Sequence, residues 1–184
     1  MKKLMLAMLF ASATVISNAQ TKYFTKDGNI SFYSKAAVED IDATNKKVTC
    51  VVDAATGQME FSMLIRAFEF EKELMKEHFN ENYMESEKFP KSTFKGTIDN
   101  ASSVKWTVDG TYPVKVSGKL TLHGVTKDIS TAGNFTVKGG KIIGKSEFMV
   151  SLADYDIKVE KAYTAKIADK IKVTVDVNLA PLAK

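Results

Sequence analysis

The most constraining feature of this chain is strict two-residue alternation near its C-terminus. In Ile171-Lys172-Val173-Thr174-Val175-Asp176-Val177-Asn178-Leu179 every odd position is apolar and every even one polar. Side chains alternate across a β-strand, so this segment has one dry face and one wet face. Val114 to Leu122 repeats the pattern, with Val114, Val116, Gly118, Leu120 and Leu122 on one side. Ile129 to Val137 and Ile142 to Leu152 continue it. Between them, His123-Gly124-Val125-Thr126-Lys127 reads as a hairpin connection, and Lys138-Gly139-Gly140-Lys141 as a tight turn in which Gly supplies positive φ.

The N-terminal half is less regular. Ile30-Ser31-Phe32-Tyr33 predicts a short strand and Lys47 to Asp53 a longer one. After the turn Ala54-Ala55-Thr56-Gly57, Gln58 to Ile65 puts Met59, Phe61, Met63 and Ile65 on one face. Phe70, Leu74, Met75, His78 and Phe79 then fall at helical spacing, with Asn80 as the expected stop. Thr93 to Ile98 returns to strand. The total is about eight strands, antiparallel by connection length, with one helical insertion: an all-β chain. Such strands bury their dry faces in either a sandwich or a closed barrel. Gly96, Gly118, Gly133 and Gly144 fall in register with the dry faces. They either make room for a ligand or mark barrel corners.

The first residues have a different character. Lys2 and Lys3 precede an apolar run from Leu4 to Ile16, and Ser17-Asn18-Ala19 ends it with small residues. This pattern predicts a signal peptide over 1–19, cleaved after Ala19, with one domain over 20–184 and a periplasmic or secreted destination. The run is short for a membrane span, and no Cys follows it for lipidation, so no stable membrane anchor is expected after cleavage. Lys2 and Lys3 leave with it, lowering the formal charge from +4 to +2. Arg66 is the sole arginine, which speaks against a nucleic-acid partner. The single cysteine, Cys50, sits in a strand and reads as a buried structural thiol. A homodimer is compatible with the sequence.

Catalytic constellations are missing. There is no nucleophile elbow and no Gly-rich phosphate loop, and the two histidines, His78 and His123, lack metal-ligand spacing. His123 reads as a turn residue, and Asp154-Tyr155-Asp156 as a turn or loop cap. The expectation is a non-enzyme with no metal and no cofactor other than a bound lipid.

Two runs resemble signatures of the YceI-like family. One is Glu77-His78-Phe79-Asn80-Glu81-Asn82-Tyr83 through Phe89-Pro90-Lys91-Ser92-Thr93-Phe94-Lys95-Gly96. The other is Val116-Ser117-Gly118-Lys119-Leu120-Thr121-Leu122-His123-Gly124-Val125-Thr126-Lys127. The resemblance extends over roughly Gly57 to Leu179. Upstream the chain departs: Gly28 to Ala37 stands where many members carry a Trp-containing strand and a His-Ser pair. The resemblance implies an exported, eight-stranded antiparallel lipocalin-like barrel with one short helical insertion. It also implies an enclosed polyisoprenoid, either an isoprenoid quinone or a prenyl diphosphate. Inward ligand-facing residues would be Phe61, Met63, Ile65, Phe94, Val116, Leu120, Leu122, Phe135, Phe148, Val150, Val173 and Val175. Leu74, Met75 and Phe79 would form a gating helix. Lys72, Lys76, Arg66 or Lys91 would meet a diphosphate if they gather at one mouth. The alternative is a solid-cored interaction or stress-protective module without a small ligand.

Overall fold

The computed structural model describes residues 22–182, so the predicted signal peptide lies outside the described residues. Eight strands follow in order: β1 Lys22–Lys35, β2 Asp40–Asp53, β3 Gln58–Leu64, β4 Lys91–Ile98, β5 Gly110–Leu122, β6 Val125–Lys138, β7 Lys141–Ser151 and β8 Lys170–Pro181. Each pairs antiparallel with its neighbours, and β8 returns to β1, closing the sheet into a barrel. The choice between sandwich and barrel is thereby settled for the barrel.

The N-terminal strands are longer than the sequence reading. β1 slips register at Thr25–Gly28 and again before Ile30. Lys26 and Asp27 both face water, so the apolar period breaks there. β2 has the matching slip: Lys46 and Lys47 are both exposed between buried Asn45 and buried Val48. Such bulges insert an extra residue and bend the strand, which hides it from a period-two search.

Two seams of the barrel are closed by other means. β2 pairs with β3 only from Thr49 to Val52. Above that, Thr44 exchanges both backbone hydrogen bonds with Glu69 (3.1 and 2.9 Å), and the Asn45 amide donates to the Leu64 carbonyl at 2.9 Å. β6 and β7 pair only from Gly133–Ser146 to the Lys138–Lys141 turn. Beyond it, the Ser146 hydroxyl donates to the Ala132 carbonyl at 2.7 Å, and the 3-10 turn Ala153–Tyr155 carries the buried Tyr155 ring.

The turns follow their residues. His123 and Gly124 hold φ of 50° and 75°, and Gly139 and Gly140 hold 55° and 77°, as two-residue hairpin loops require. The first hairpin is tighter than expected, because Val125 to Lys127 already belong to β6.

The helical insertion also differs. Its α-helix, α1, is only Glu73–His78, and the chain continues through a π-turn over Phe79–Tyr83. Asn80 is therefore not the stop. Its amide donates back to the Lys76 carbonyl at 2.7 Å, inside the turn. α1 buries none of its own residues. It is held through Phe79, whose ring packs on Phe32, Phe68 and Phe70 at 5.4, 5.6 and 5.0 Å.

The barrel ends are unlike. At one end, Trp106 from the β4–β5 connection stacks on Tyr23 (5.6 Å) and leans on Phe135 (5.0 Å). Val52, Met59, Ile98, Val104, Val137, Ile142 and Leu179 complete this plug. The other end carries α1 and the β7–β8 connection.

Candidate ligand-binding site

Between plug and α1 lies a cavity of about 650 Å³. The interior is thus not the filled core that a solid-cored module requires. Every inward residue named from the sequence lines it: Phe61, Met63, Ile65, Phe94, Val116, Leu120, Leu122, Phe135, Phe148, Val150, Val173 and Val175. Leu74, Met75 and Phe79 line it as well, at the α1 end. They do not contribute equally. Ile65, Phe135 and Val150 are nearly fully buried in packing clusters, whereas Phe61, Leu120, Phe148 and Val173 keep more open surface.

The sequence reading missed part of the wall. Ile30 and Phe32 on β1 and Ile41 on β2 line the cavity, together with Phe68, Phe70, Met84 and Ile157 from irregular segments. Ile30–Phe32, Ile41 with Ala43, and Phe68 with Phe70 each alternate with polar neighbours, but over stretches too short to mark a wall. Met84 and Ile157 have no local period to betray them.

Of the in-register glycines, Gly133 and Gly144 line the cavity, and Gly96, Gly118 and Gly144 make room for aromatic rings. Gly96 and Gly118 face each other across β4 and β5. A Cβ on Gly96 would stand 2.5 Å from the Phe94 ring, and one on Gly118 2.8 Å from it. At Gly144 a Cβ would meet the Phe135 ring at 2.9 Å. The glycines let these aromatic rings lie flat on the barrel wall.

Polar groups in the wall are turned to the backbone. Ser92 donates to the Thr121 carbonyl at 2.9 Å, and Ser34 accepts from the Ala168 amide at 3.0 Å. Burial pushes the Cys50 thiol up to about 12, so it remains neutral. The cavity therefore offers apolar surface and spent hydrogen-bonding groups, an interior suited to hydrocarbon.

Charge is sparse in the lining. Glu39, Lys72, Glu160 and Lys166 stand at the mouth, two of each sign, and Lys145 lines the wall at the β6–β7 seam, where its ammonium pairs with Asp176 at 3.0 Å. Lys72 reaches Glu39 at 3.2 Å. Of the four cations considered for a diphosphate, only Lys72 lines the cavity. Arg66 turns away to Ser86 and Glu87 (3.3 and 3.0 Å), Lys76 pairs with Glu73 at 3.3 Å, and Lys91 is exposed elsewhere. Lys166 was not legible as a mouth residue. The Tyr83 phenol is held above its usual range, first by burial and then by Tyr163 and Glu160 nearby.

A closed antiparallel barrel of eight strands around an apolar cavity defines the class, a small-ligand-binding barrel. The YceI-like domain family model matches residues 12–179, and the chain belongs to that family. Among solved structures, a polyisoprenoid-binding domain from Saccharophagus degradans superimposes with a TM-score of 0.77 at 15% identity, covering 89% of this chain and 99% of its own. BcnA from Burkholderia cenocepacia does so with a TM-score of 0.69 at 16% identity, covering 83% and 96%. The YCEI protein of Campylobacter jejuni gives 0.54 at 18% identity, covering all of both chains. At these identities the likeness is one of fold. No curated protein matches the sequence.

Proposed function

We propose that this chain is an exported, non-catalytic binding protein that encloses one isoprenoid-type lipid in its barrel. The observation that carries the reading is the apolar cavity of about 650 Å³, plugged around Trp106 and open beside α1. Transfer of a hydrocarbon chain into it is favoured by about 25 cal/mol per Å² of apolar area removed from water. The fold neighbour from Saccharophagus degradans, described as polyisoprenoid-binding, supports the same class of ligand.

The mouth favours one head group over the other. A diphosphate needs a surplus of cations. Here Lys72 and Lys166 are matched by Glu39 and Glu160. An isoprenoid quinone, neutral and carrying carbonyl acceptors, fits this balance better. The signal-peptide pattern over Met1 to Ala19 supports a periplasmic or secreted location.

Displacement of an apolar fluorescent probe tests the reading. A quinone with an isoprenoid tail is expected to displace it more effectively than a prenyl diphosphate of equal tail length. Preference for the diphosphate would overturn the head-group assignment. Failure of both to bind would overturn the lipid reading.

A further inference from the structure

Three large side chains at the open end stand in water. Val38 is 66% exposed, Leu74 62% and Tyr163 43%. They come from three separate connections, β1–β2, β3–β4 and β7–β8. Scattered exposed apolar residues are ordinary on a protein surface. These are tied together. The Val38 amide donates to the Ala165 carbonyl at 3.1 Å, two residues from Tyr163. The neighbouring Glu39 holds Lys72, two residues from Leu74, at 3.2 Å. Leu74 and Tyr163 are also cavity wall, so two of the exposed apolar side chains belong both to the outer surface and to the lining of the cavity.

Long cations accompany the apolar tips. Lys161 and Lys166 flank Tyr163, with the Lys166 ammonium 6.0 Å from the centre of its ring. Lys72 and Lys76 flank Leu74 in sequence. An aromatic or aliphatic tip between lysines suits the membrane–water interface, where the tip enters the acyl boundary and the ammonium groups stay at phosphate level. Acids offset these cations: Glu39, Glu73 and Glu160 stand on the same segments. Attachment then rests on apolar contact more than on net charge, which makes it brief and reversible.

We propose that this rim seats on a lipid bilayer, so that the barrel loads and unloads its ligand at the membrane surface. The proposal rests on the reading of the cavity as a lipid site. A bilayer fits the rim better than a protein partner does. A stable protein pair needs a continuous patch of about 800 Å² per side. The rim is a set of tips around an opening, and a second copy seated there would cap the cavity it has to load.

Flotation with vesicles of phosphatidylethanolamine and phosphatidylglycerol, using the mature chain, tests it. Wild type is expected to float with the vesicles, and Leu74→Asp and Tyr163→Asp are each expected to float about tenfold less. Val38 and Lys161 lie outside the cavity wall, so the double variant Val38→Asp/Lys161→Glu separates docking from binding. It is expected to lose flotation to a similar extent while its affinity for an isoprenoid quinone offered in detergent micelles stays within about twofold of wild type. The rate of quinone transfer between vesicles should rise with vesicle concentration for wild type and lose that dependence in the double variant. Flotation of the double variant equal to wild type would overturn the proposal. So would a wild type that stays off vesicles yet self-associates through the rim, its dimer lost in the double variant. If no quinone binds from micelles but wild type still floats, the cavity reading fails and docking stands alone.

Discussion

His123 Nε2 stands 3.3 Å from Glu85 Oε1, and both residues hold a left-handed backbone, with φ of 50° and 41°. The approach is not aligned as a hydrogen bond, since Nε2 has no hydrogen-bond partner. The firm bond is on the other side of the ring, where Nδ1–H donates to the Tyr155 carbonyl at 3.0 Å. The Phe89 ring packs edge-on at 4.7 Å. His123 therefore joins the β5–β6 hairpin, the segment after α1 and the turn that covers the β6–β7 seam. It is more than a turn residue.

Replacing His123 by Ala is expected to cost about 1–3 kcal/mol, because the Tyr155 carbonyl loses its donor in a buried place. Glu85→Gln is expected to cost less than about 1 kcal/mol, since that carboxylate is half exposed and the pair is screened. Urea unfolding of both variants checks the order. Equal costs would show that the ion pair holds this corner.

The Gly96–Gly118 pair is expected to reject any side chain. A Cβ on either residue would stand 2.4 Å from a backbone carbonyl oxygen of the facing strand, where nothing flexible can yield. Gly118→Ala should destabilise by about 1–3 kcal/mol and push the Phe94 ring into the cavity. The measurements are the urea midpoint and the affinity for an apolar probe, and both should fall.

Filling the cavity should weaken binding without unfolding the barrel. Val173 lines the cavity beside Phe148, its partner across β7 and β8. Val173→Trp is expected to weaken capture of an isoprenoid quinone by at least about tenfold, the equivalent of about 1.4 kcal/mol. Wild type at 100 times its dissociation constant should gain about 2.7 kcal/mol of stability from the ligand, and the variant at the same concentration no more than about 1.4 kcal/mol. Thermal unfolding with and without quinone reads both.

Cys50 gives a dependence on pH. Burial raises its thiol to about 12, whereas in the unfolded chain a thiol ionises near about 8.5. The folded state holds the proton more tightly, so this contribution is complete below about pH 8.5 and is lost as pH rises toward 12. Within that window wild type should lose about 1.4 kcal/mol per pH unit more than Cys50→Ala. The native thiol should also resist iodoacetamide until the protein unfolds.

How legible the molecule was depends on the element. β5 to β8 keep a clean period, and their inward residues read directly from sequence. β1 and β2 carry slips at Lys26–Asp27 and Lys46–Lys47, so their true lengths stayed hidden. Period two alone left barrel and sandwich open, because both bury one face of each strand. The aromatic segment Phe68 to Phe70 closes the wall through a single bridge, Thr44 to Glu69, which no local pattern encodes. Lys166 reaches the mouth from a long connection, and Arg66 turns away from it. Such placements depend on tertiary packing.

The most direct test of the central claim is native mass spectrometry of the protein, purified without added lipid. The account predicts an excess mass of one apolar molecule that organic extraction removes and that Val173→Trp lacks. An empty wild-type protein that also takes up neither quinone nor prenol on titration would contradict it.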